Sequence, residues 1–70
     1  MGIQSVIFDK ERWTVPAARK WLKAHKFRSN KVDTTDEYHR FRQYPPDYEN
    51  EIYRTKTNKN GIKLIVGIKK

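Results

Sequence analysis

The sequence predicts a small α+β domain with element order β-α-β-β-β, one helix packing on one face of a mainly antiparallel four-stranded sheet. Three observations lead there. The chain has 70 residues, enough for one domain, and no linker or internal repeat divides it. Ala18, Trp21, Leu22 and His25 recur at helical spacing. Three later segments alternate at the two-residue period of strands, with short turn-rich connections that suggest a meander.

Residues 3–8, Ile-Gln-Ser-Val-Ile-Phe, are β-branched and aromatic enough for a first strand, ending at Asp9-Lys10. Thr14 can then cap a helix whose first turn accommodates Pro16, where a missing N–H costs little. The helix runs from about residue 15 to 26. Trp13, just before it, is placed to pack back on it as part of a hydrophobic staple. Arg28-Ser29-Asn30-Lys31 reads as a turn.

The second strand, Tyr38 to Tyr44, stops at Pro45-Pro46, which cannot continue a ladder. An acidic loop, Asp47 to Asn50, leads into a third strand, Glu51 to Lys56. Asn58-Lys59-Asn60-Gly61 is a strong turn signal before the fourth strand, because Asn and Gly tolerate positive φ. The expected core is Val6, Phe8, Ala18, Trp21, Leu22, Phe41, Tyr53, Ile62, Leu64 and Val66.

A single helix covers one sheet face. On this reading the other face carries Tyr38, Arg40, Arg42, Tyr44, Arg54, Lys56 and Lys63. Arginine forks bind phosphate bidentately and tyrosine rings stack on bases, so this face is the expected nucleic-acid-binding surface. The same residues would suit an acidic protein partner, or simply a face left in water. A second basic patch, Arg19, Lys20, Lys23, Lys26 and Arg28, lies on the helix and is expected on the opposite side of the sheet.

Sixteen Lys and Arg against eight Asp and Glu give a formal charge of +8, which favours polyanion partners. The absence of cysteine rules out disulfides, thiolate metal sites and a cysteine nucleophile. No glycine-rich phosphate loop, catalytic triad or metal-ligand spacing is present, so neither enzymatic activity nor a cofactor is expected. His25 reads as a boundary residue of the helix stripe, and His39 points with Phe41 toward the covered side. The start of the chain does not read as a signal peptide, and the run Ile62 to Ile68 is too short to span a bilayer. An intracellular setting and a monomer or edge-paired homodimer are the corresponding expectations.

Val6-Ile7-Phe8-Asp9-Lys10, Ala18-Arg19-Lys20-Trp21-Leu22 with His25 and Phe27, Tyr38 with Arg40-Phe41-Arg42-Gln43, Tyr53-Arg54-Thr55, and Gly61-Ile62-Lys63-Leu64-Ile65 with Gly67 are separated motifs. Together they resemble a small domain common in tailed-phage and large-virus reading frames. The resemblance implies a viral or phage product, acting in the host cell or in the virion. It brings no biochemical activity and no site residue with it.

Overall fold

The least charged strand takes the middle of the sheet. β1 (Gly2–Asp9) has no charged residue before Asp9, and in the computed structural model, which describes residues 2–70, it is hydrogen-bonded on both sides. The remaining elements are α1 (Val15–Ala24), β2 (Asp33–Thr34), β3 (Tyr38–Arg42), β4 (Glu51–Thr57) and β5 (Ile62–Lys69). The five strands form one antiparallel sheet in the order β2-β3-β1-β5-β4.

The α+β class is as expected, but the sheet has a fifth strand and is not a simple meander. Two-residue β2 pairs along the outer edge of β3, with Asp33 opposite Arg40. β1 inserts between β3 and β5, so the hairpins are β2–β3 and β4–β5, and β3 is not paired with β4. The β3–β4 connection therefore carries the chain past the ends of β1 and β5 to the far edge. Strands rich in apolar residues gain most from being flanked on both sides. Those alternating with charges tolerate an edge.

The helix follows its local signals. Thr14 Oγ1 accepts from the Ala17 amide at 3.3 Å, and Pro16 lies in the first turn. The end comes at Ala24, where Lys26 adopts a left-handed φ of 62°. The Phe27 amide then donates to the Leu22 carbonyl at 2.8 Å and the Lys26 amide to that of Lys23 at 3.2 Å. This is a Schellman closure with lysine where glycine is usual.

The core lies between helix and sheet: Val6, Phe8, Ala18, Leu22, Phe41 and Ile62 are buried, with Trp13, Trp21, Phe27 and Leu64 packed against them. Phe8 is the hub, meeting Trp13, Trp21 and Phe41 edge-on with ring centroids 5.1, 5.7 and 5.6 Å away. Trp13 does pack back on the core, and its indole N–H reaches the Asn60 carbonyl of the β4–β5 turn at 2.7 Å. Tyr53 is the exception among the expected core residues. It stands opposite Gly67, on the other face of the sheet.

Candidate functional site

The ladder register decides which side chains share the uncovered face. Val6 pairs with Phe41 and Leu64, which fixes that set toward the helix. The alternate positions face away: Arg40 and Lys63 flank Ile7, while Arg42 and Ile65 flank Ser5. Tyr38 stands opposite Asp9 at one end of this face. Tyr44, Tyr53 and Gly67 form the other end.

Five of the seven residues expected on this face are thus brought together: Tyr38, Arg40, Arg42, Tyr44 and Lys63. Arg54 and Lys56 are not. They stand opposite Val66 and Leu64, which puts them on the helix side of the edge strand β4. A helix about 10 Å wide covers little more than two strands at roughly 4.8 Å spacing, so these side chains stay exposed although they share the core's face.

A β-bulge at Gln4 builds the Tyr44 end. The register shifts between Ile3 and Ser5, which returns Ile3 to the helix side and buries Gln4. The Gln4 carbonyl accepts from the Gln43 amide at 2.7 Å, and its side-chain NH2 donates to the Tyr44 carbonyl at 2.8 Å. Buried Ser5 donates to Gln4 Oε1, and Ser5 Oγ accepts a long 3.4 Å hydrogen bond from Arg40 Nε. The guanidinium of Arg40 is therefore held over the middle of the sheet.

Beyond Arg42, the Tyr44 and Tyr53 hydroxyls both donate to Glu51 Oε1, at 3.3 and 3.0 Å. Partial burial first, and then the Glu51 charge, push the Tyr44 phenol above its ordinary range. Partial burial is also the main cause raising Tyr53, reinforced by its bond to Glu51. The acidic loop is internally tied: Asn50 donates to Asp47 Oδ2 at 2.9 Å, which holds the Asp47 carboxyl below its usual range.

Two grooves open at the ends of β3. The larger, about 680 Å³, lies by Tyr38, Ile7 and Lys63. Asp9, Glu11, Asp36 and Glu37 share its wall with Lys10, Arg12, Lys59 and Lys63, so the charges balance. The smaller, about 350 Å³, lies by Arg42 and Tyr44 and is completed by Arg28 and Lys31, with no carboxylate in its lining. Lys31 was not among the residues singled out from sequence. Its position in a polar turn gave no periodicity to read. Arg28, expected with the helix patch on the far side, comes round to the end of β3 instead.

The other members of the helix patch, Arg19, Lys20, Lys23 and Lys26, are exposed, and Arg19 Nε donates to the Ser29 carbonyl at 3.1 Å. His25 stacks on Trp21 with centroids 3.9 Å apart, and His39 is buried on the helix side against Thr34 Oγ1 at 3.0 Å. Among the described residues no group of three His, Cys, Asp or Glu is placed to hold a metal ion. Among the described residues, too, no helix is long and apolar enough to cross a membrane. No family model matches the chain, and neither does any curated protein or solved structure.

Proposed function

We propose that this domain is a non-enzymatic module that binds nucleic acid through phosphate contacts on its open sheet face, with little sequence specificity. One observation carries the reading: the cross-strand row Arg40–Ile7–Lys63, with Arg42 next along β3, on the face turned away from the helix. Arg40, Arg42 and Lys63 would neutralise phosphates, while Tyr38 and the half-buried Ile7 and Ile65 offer flat surface to sugars and bases. The net charge of +8 supports steering toward a polyanion. Base reading is not expected, since α1 is short and carries no Asn or Gln. In the phage setting that the sequence resemblance implies, the polyanion at hand would be a viral genome or its transcripts.

Salt titration of binding to DNA and RNA oligonucleotides tests the reading. Three phosphate contacts predict a log–log slope of about −2 for single strands, from roughly −0.7 per contact. Binding that is absent at low salt, or indifferent to salt, overturns it. A partner retained after nuclease treatment, with no oligonucleotide binding, would favour an acidic protein surface as the ligand.

A further inference from the structure

The helix-exit loop is fastened to the end of β3 by one side chain. Gln43 Oε1 accepts from the Arg28 amide at 2.7 Å, and Gln43 Nε2 donates to the Arg28 carbonyl at 2.9 Å. Both backbone polar atoms of Arg28 are held, and Arg19 fixes the next carbonyl, that of Ser29. On the other wall, Gln4 grips the Gln43 amide and the Tyr44 carbonyl. The backbone on both sides of the smaller groove is thus set in advance, while the Arg28, Lys31 and Arg42 side chains remain exposed.

We infer that Arg28, Lys31 and Arg42 form a phosphate-binding subsite that continues the open face around the end of β3. A bound strand would leave the sheet surface and enter this groove. The inference rests on the nucleic-acid reading for the identity of its ligand. Arg42 belongs to both surfaces, one β-strand repeat from Arg40 and in the lining of the groove. Three cations without a carboxylate attract an anion more strongly than the larger groove, where acids and bases balance. Two of the three are arginines, whose planar forks match phosphate oxygens, and Tyr44 supplies an aromatic wall. Fixing the backbone beforehand lowers the ordering cost that an exposed basic loop would otherwise carry.

The test is an NMR titration of the 15N-labelled full chain with oligothymidylate and, separately, with inorganic pyrophosphate. Both are repeated on Arg28→Gln combined with Lys31→Gln, two exposed positions whose side chains serve no core contact. With the oligonucleotide, the amides of Arg28, Gln43 and Tyr44 should shift at the same midpoint as those of Arg40 and Lys63. The double variant should flatten the log–log salt slope by about 1.4, for two lost single-strand contacts. Oligonucleotide binding with silent groove amides and an unchanged slope would overturn the subsite and leave the sheet-face reading intact. Pyrophosphate shifts at Arg28 and Gln43 that vanish in the variant, without oligonucleotide binding, would retain the subsite and remove the nucleic-acid reading. Silence toward both probes overturns both.

Discussion

Tyr44 reaches across the sheet to Gly67, so closely that a β-carbon there would run into its hydroxyl oxygen. The same carbon would stand 3.0 Å from Tyr53 Cε1 and 3.0 Å from Glu51 Oε2. Glycine is what allows two tyrosines and a carboxylate to share this corner. Gly67→Ala should displace the Tyr44 ring and break its bond to Glu51, at a cost of about 1–3 kcal/mol, typical of overpacking. Urea midpoints measure it. The cost should shrink in a Tyr44→Phe background, because the clashing oxygen is gone; an additive double-mutant cycle would contradict the contact.

The alkaline limb of stability should report the same cluster. The folded-state pKa values of Tyr44 and Tyr53 are both raised, by partial burial first and by Glu51. A group with a raised folded pKa contributes its stability fully below the unfolded value, near 10, and loses it as pH rises through the folded one. Stability should therefore fall above about pH 10. Glu51→Gln removes the charge and should bring both phenols down toward their ordinary range. Absorbance titration at the phenolate band checks this, and unchanged midpoints in the variant would remove Glu51 as a cause.

Phe8 meets three aromatic rings edge-on and is completely buried. Phe8→Ala should cost roughly 3–5 kcal/mol. For 70 residues the whole folding free energy is only about 4–10 kcal/mol, so the variant should be largely unfolded or close to it. Tryptophan emission from Trp13 and Trp21 would shift to the red in buffer. A native-like spectrum and urea midpoint would show that the hub is less central than its contacts indicate.

Lys26 closes the helix with φ at 62°, a conformation that costs an L-residue about 1 kcal/mol and glycine almost nothing. Lys26→Gly should raise stability by about 0.5–1 kcal/mol, despite the added freedom of the unfolded chain. Thermal or urea unfolding measures it.

How much of this was legible in the sequence depends on whether a residue's environment differs between its two alternatives. Phe41 and Phe8 had one apolar choice, and Thr14, Pro16 and Gly61 fixed their local geometry, so core, cap and turn came through. β4 did not, because the helix is too narrow to reach it, so its helix-side residues stay exposed while Tyr53 on the other face is only partly buried. Its alternation of Tyr53 and Thr55 with Arg54 and Lys56 therefore held no inside-outside information. The signal that places Tyr53 is Gly67 across the ladder, which becomes readable only with the register. The strand order had a cue in the uncharged run from Gly2 to Phe8, which marks a central strand. The short connections between the later segments point instead to a meander.

The placement of Arg54 and Lys56 on the helix side makes a clean control possible. Arg40→Gln with Lys63→Gln and Arg54→Gln with Lys56→Gln each lower the net charge by two, from +8 to +6. Long-range attraction thus falls equally in both pairs. The first pair lies on the open face and the second on the helix side of the sheet edge. If the open face holds the phosphates, the first pair should flatten the single-strand salt slope by about 1.4 and weaken binding across all sequences. The second should lower affinity slightly through reduced steering, with its slope unchanged. Equal loss in both pairs would mean that net charge, rather than the face, governs binding.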